Sequence, residues 1–217
     1  MDEYADRADA GAALARAVVA WWPASARSAQ RVLVLGLPRG GVPVAAQVAA
    51  ALDAELDVLP VRKVSVPGQP ELAVGAVAEG GTAVVDERIR PRSGLSEESL
   101  KSRIAAAQAE LVERAARWRA GRAAISPVGR DVVVVDDGLA TGSTARAAVR
   151  ALRAAGARSV TVAVPVGPSD SIRMLEHEGA TVICPAIPRR FRAVGLHYRD
   201  FGQTSDDEVI RLLSQPR

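Results

Sequence analysis

The sequence predicts an α/β fold, a mainly parallel central sheet flanked by helices. Three observations lead there. VLVLG (32–36) and VVVV (132–135) are short, continuous apolar runs, the pattern of strands buried on both faces. Segments with apolar residues at helical spacing alternate with such runs along the chain. Glycines and prolines punctuate the joins. Strands alternating with helices imply βαβ units with right-handed crossovers.

The elements follow in order. Residues 4–22 predict an amphipathic helix, with Leu14, Val18, Trp21 and Trp22 at helical spacing and Pro23 just beyond. VLVLG is the first strand, LPRGG a loop, and 42–53 a helix with Pro43 near its first turn. LDVLPVRKV (56–64) predicts a second strand, while VPGQPELAVGAV is rich in turn residues and carries no clear period. From Ser96 to about Arg119 runs a long helix, with Ser96 and Ser99 as candidate N-caps, glutamates in its first turn and Gly121 as its stop. It is expected to be an insertion, over about 93–121, packed on the sheet. VVVV is the next strand, 143–155 a helix closed by Gly156, and SVTVAVPV (159–166) a strand. A helix at 169–178, a strand at 180–184 and a terminal helix from near Thr204 to 213 complete the reading. No internal repeat or linker divides it, so residues 1–217 are expected to form one domain.

Composition narrows the function. The chain has 217 residues, 48% of them hydrophobic and 24% charged, as in ordinary globular proteins. Only two lysines, Lys63 and Lys101, stand among 28 basic residues, and the net charge is just +3. The basic isoelectric point therefore reflects arginine chemistry more than a strong field, and does not single out nucleic acid. Arg103, Arg114, Arg117, Arg119 and Arg122 are interleaved with Glu97, Glu98, Glu110 and Glu113, which predicts a salt-bridged solvated face. The single cysteine, Cys184, cannot form an intrachain disulfide, and no Cys/His cluster suggests zinc. The N-terminus is acidic and lacks signal-peptide order, and no apolar run approaches the roughly 20 residues of a membrane helix. A cytoplasmic location is expected.

The chemistry concentrates in VVVVDDGLATGST (132–144). In open parallel sheets ligands bind where loops leave the carboxyl ends of strands, and VVVV delivers Asp136 and Asp137 to that edge. Adjacent carboxylates repel, so they need a cation or hydroxyl donors as partners. The small residues after them let a ligand approach main-chain N–H groups at the start of a helix, a ready anion site. Carboxylates for a diol beside an amide nest for a phosphate describe a ribose 5-phosphate site. The plain alternative is a turn followed by a helix cap. A P-loop would need a lysine that is absent here.

VVVVDDGLATGST resembles the phosphoribosyl pyrophosphate (PRPP) motif of type I phosphoribosyltransferases. The resemblance implies that Asp136 and Asp137 take the ribose hydroxyls. Ala140, Thr141, Gly142, Ser143 and Thr144 would form the 5-phosphate loop, with Ala140 where many members carry Thr or Ser. GLPRGGVPVA (36–45) is similar to the family's pyrophosphate loop, where a peptide bond is often cis. Arg39, Gly40 and Gly41 would be the contacts, with Arg62 alongside. VRKVSVPGQPELAVGAVAEGG (61–81) and LHYRDFGQTSDDEV (196–209) extend the likeness to an uncharacterised bacterial branch. Residues 65–81 would occupy the place of a mobile catalytic loop, with Lys63 and Glu71 as candidate catalytic residues. Residues 185–203 would form a small C-terminal hood over the acceptor, lined by Tyr198, Asp200 and Phe201, with His197 a hood residue.

The implied activity is transfer of ribose 5-phosphate from PRPP to a nitrogenous acceptor, with pyrophosphate released. Mg²⁺ would arrive mainly on PRPP, met by Asp136 through water. The expected partners are PRPP and a small-molecule acceptor, with a homodimer left open. Two alternatives stay open: a non-catalytic PRPP- or nucleotide-sensing regulator, and a ribose-phosphate hydrolase.

Overall fold

The computed structural model describes residues 3–22, 32–79, 83–87 and 89–215. Its elements are, in order, α1 (Arg7–Trp21), β1 (Val32–Gly36), α2 (Gly41–Leu52), β2 (Glu55–Val58), β3 (Val61–Val66), β4 (Gln69–Ala78), β5 (Ala83–Val85), α3 (Glu97–Arg119), β6 (Asp131–Val135), α4 (Ser143–Ala154), β7 (Ser159–Ala163), α5 (Ser169–His177), β8 (Thr181–Ile183) and α6 (Asp206–Leu213). The central sheet has the order β2-β1-β6-β7-β8, every neighbouring pair parallel.

The two-sided burial expected of the valine runs is divided by parity. Val32 and Val34 of β1 and Val133 and Val135 of β6 pack with α1 and α2 on one face. Leu33, Leu35, Val132 and Val134 pack with α4 and α5 on the other. From β1 the chain goes by α2 to β2 on one side, whereas β6 goes by α4 to β7 on the other. The order therefore reverses between β1 and β6, where ligands of open α/β sheets bind.

Several expectations need correction. The strand expected at 56–64 is two strands in different sheets. Leu59 N–H donates to Gly36 O at 3.0 Å, and the ladder stops there because Pro60 has no N–H to continue it. β3, β4 and β5 then form a second, antiparallel sheet, with Pro67–Gly68 as the β3–β4 turn and Gly68 at φ 74°. Of the segment 65–81 expected as a mobile loop, the described residues 65–79 are thus built on a hairpin.

The long helix lies on this second sheet, through Val64, Val66, Val74, Val77, Leu100 and Leu111, and not on the central one. Ser96 caps it by accepting from Ser99 N–H at 3.1 Å, and the left-handed turn at its end begins at Ala120 (φ 49°), one residue before Gly121. Arg119 is no part of a solvated face: it is 5% exposed and bound to Asp57 and Glu79. β7 ends at Ala163, short of the expected Val166, with Pro165 interrupting the ladder.

Candidate active site

Gly36 and Val135, the last residues of β1 and β6, are register partners, and Leu37 N–H donates to Val135 O at 2.8 Å. The loops after the two strands therefore leave the sheet side by side. The Pro38–Arg39 peptide bond is cis. Behind it the glycines are needed for space. A Cβ on Gly41 would lie 2.6 Å from Val135 O and 2.8 Å from Asp136 Cα, and one on Gly40 would lie 2.1 Å from Asp137 Oδ2. The 38–41 loop is seated directly on the acid pair.

Asp136 Oδ1 accepts from Asp137 N–H at 2.9 Å. Burial pushes the Asp136 carboxyl well above the usual carboxylate range, and the neighbouring charge of Asp137 adds to it. Burial also raises Asp137, while Arg7 opposes the rise by charge and hydrogen bonding. Arg7, from the first turn of α1, donates Nε–H to Asp137 Oδ2 at 2.9 Å, with Nη2 at 2.8 Å from the same oxygen. Sequence reasoning missed Arg7. The available signal was a lone base in the acidic stretch MDEYADRAD.

After the acids the chain turns into α4. Gly142, the N-cap, has φ 73°, a left-handed conformation that favours glycine. Ala140 O is fixed by Ser171 Oγ–H at 2.6 Å, and the Thr141 and Ser143 hydroxyls are 3.0 Å apart. The N–H groups of Ser143 and Thr144, in the first turn of α4, have no helical carbonyl to bond, and the helix dipole favours an anion there. Lys63 and Ser143 line one small recess of about 70 Å³, together with Asp86, Arg146 and Arg150.

Other expected residues lie elsewhere. Arg62, on the alternate face of β3, pairs with Glu110 of α3. Arg39 keeps its backbone in the loop, but its guanidinium is 3.7 Å from Asp206 of α6, in a recess shared with Arg114, Arg117 and Trp118. Glu71 lies on β4, with its side chain outside the described residues. In the hood, Tyr198 is buried and donates its hydroxyl to Asp137 O, and burial raises its pKa so that it stays a donor. The Phe201 ring centre lies 5.0 Å from that of Tyr198 in a tilted pair, Asp200 accepts from Gly202 N–H at 2.9 Å, and His197 lies parallel to Phe191. A Cβ on Gly138 would lie 2.4 Å from Val194 Cγ1, so hood and acid loop are in close contact.

Among the described residues no group of three or more His, Cys, Asp or Glu side chains is placed to hold a metal ion.

The family model for the phosphoribosyl transferase domain matches residues 7–191. The chain belongs to this family. Two phosphoribosyl transferases of Mycobacterium tuberculosis, provisionally named as such (MT0597 and Rv0571c), are each 46% identical over 215 residues. That is 99% of this chain but 47% of each relative, so the chain spans about half the length of the curated relatives it matches. The crystal structure of TT1426 from Thermus thermophilus is 42% identical, with a TM-score of 0.85 over 98% of both chains. In this phosphoribosyl transferase chain, as described, no helix is long and apolar enough to cross a membrane.

Proposed function

We propose that the chain binds PRPP at the β1–β6 crevice and transfers its ribose 5-phosphate to a nitrogenous acceptor, most simply a nucleobase. One observation carries the reading: the acid pair, the 38–41 loop and the α4 N-terminus meet at one sheet edge, with Gly40 and Gly41 in contact with Asp137 and Asp136. Asp136 and Asp137 accept from the ribose hydroxyls, residues 140–144 hold the 5-phosphate, and the 38–41 loop faces the pyrophosphate. In the transfer, the C1–oxygen bond breaks with its electron pair leaving on pyrophosphate, while the acceptor nitrogen bonds C1 and its proton passes to the departing pyrophosphate or to water. The protein positions the two partners and holds charge where it develops. Mg²⁺, when bound, neutralises the leaving pyrophosphate, with Asp136 the residue to meet it through water. Tyr198 and Phe201 place the hood over the acceptor side, and Lys63 beside Ser143 is a candidate for the phosphate end.

The test is incubation with PRPP, Mg²⁺ and a panel of bases, following pyrophosphate release. Acceptor-dependent release supports the transferase. Release without acceptor points to a hydrolase, and binding with no release to a regulator.

A further inference from the structure

Arg7 makes more contacts at the crevice than the transfer chemistry asks of it. Both Nε and Nη2 bind a single oxygen, Asp137 Oδ2. Nη1 donates to Gly202 O, and the guanidinium carbon lies 4.1 Å from the centre of the Phe201 ring. One side chain therefore touches the ribose carboxylate, the hood backbone and the hood's aromatic face. The segment just ahead of it is tied to the same hood: Tyr4 N–H donates to His197 O at 2.9 Å, Arg199 N–H to Tyr4 O at 2.8 Å and Asp200 N–H to Ala5 O at 3.0 Å. Arg7 holds the Asp137 carboxylate through Oδ2, leaving Oδ1 as the oxygen that Arg7 does not bind.

We propose that Arg7 is the positioning residue of this site, a fork that fixes Asp137 for the ribose diol and holds the hood to the same carboxylate. The proposal rests on the phosphoribosyl reading. A guanidinium suits this task and an ammonium does not, because its planar set of donors serves several fixed acceptors while one face covers a ring. Clamp and hood then move as one unit. A ligand that orders the ribose carboxylate also orders the acceptor side, and the N-terminal helix is part of the active site.

The experiment uses the full chain with Arg7→Lys, which keeps the charge and loses the fork. Titrations with ribose 5-phosphate and with inorganic pyrophosphate are run in parallel, along with hydrogen exchange in the absence of ligand. Arg7→Lys should weaken ribose 5-phosphate binding about tenfold or more and change pyrophosphate binding less than about threefold, since a lost charge-assisted hydrogen bond is of that size. The Arg199, Asp200 and Gly202 amides should exchange at least about tenfold faster, with those of β1 and β6 unchanged. Equal loss of both ligands would mark a merely structural residue and overturn the proposal, as would unchanged ribose 5-phosphate affinity. If the wild-type protein binds neither ligand, the phosphoribosyl reading falls. Hydrogen exchange then decides the fork alone: a hood as protected in Arg7→Lys as in wild type refutes it.

Discussion

Arg119 fastens the second sheet and α3 to the central sheet, and its loss is the most quantitative perturbation available. Its side chain is 5% exposed, and that of Asp57 is 4%. Nε–H donates to Asp57 Oδ1 at 2.8 Å and Oδ2 at 3.0 Å, Nη2–H to Val58 O at 2.9 Å, and Nη1–H to Glu79. Asp57 also accepts from Val58 N–H at 2.8 Å and Ile125 N–H at 3.0 Å. Burial opposes the arginine's charge, but the Glu79 and Asp57 hydrogen bonds outweigh it and leave the pKa raised. Arg119→Met keeps the bulk and strands the Asp57 carboxylate in the interior. Breaking a buried pair in this way costs about 3–5 kcal/mol. At about 2–4 °C per kcal/mol for chains of this size, the melting temperature should fall by about 6–20 °C. Asp57→Asn should cost less, about 1–3 kcal/mol, because Arg119 keeps Glu79 and Val58 O. The double variant Asp57→Asn/Arg119→Met should be more stable than the sum of the single losses by about 1 kcal/mol or more. Strict additivity in thermal or urea unfolding, or a drop under about 2 °C for Arg119→Met, would show that the pair is not an uncompensated-charge risk and that the reasoning is wrong.

Three further outcomes are expected. Gly40→Ala should abolish most ligand-induced thermal stabilisation by ribose 5-phosphate, since its Cβ would sit 2.1 Å from Asp137 Oδ2, while costing about 1–3 kcal/mol of overpacking in unfolding experiments. The Arg150 and Arg146 hydrogen bonds hold the Glu178 carboxyl down at about 2, so its contribution is complete above its ordinary pKa and is lost as pH falls from there towards 2. Glu178→Gln should accordingly cost about 1.5–3 kcal/mol at about pH 6 and progressively less on acidification below about pH 4, as read by unfolding midpoints across that range. Burial pushes the Cys184 thiol up to about 11, so iodoacetamide labelling at about pH 7.5 should be at least about tenfold slower in native than in unfolded protein.

What was legible in the sequence was what local pattern dictates. VLVLG and VVVV announced strands buried on both faces, SEES announced a helix start, and DDGLATGST placed an acid pair and a helix start at a strand end. The second sheet was not legible, because Pro67, Gly68 and Pro70 make VPGQPELAVGAV look like loop although its valines face α3. Arg62 and Lys63 were both expected at the site, but neighbours on a strand face opposite ways, and only tertiary packing puts Glu110 opposite one and Ser143 near the other. Arg7 and Arg119 escaped for a shared reason. Their partners Asp137 and Asp57 lie 130 and 62 positions away, and a charge buried by so distant a partner leaves no local mark.

The strand-like pairing of Tyr4 with Tyr198 has a practical side. Tyr4 and Ala5 are bonded along the hood through His197, Arg199 and Asp200. An affinity tag fused at the N-terminus would be joined within a few residues of this pairing, so ligand-binding assays of a tagged protein need an untagged control. A comparison of tagged and untagged preparations measures how far the added chain disturbs the pairing.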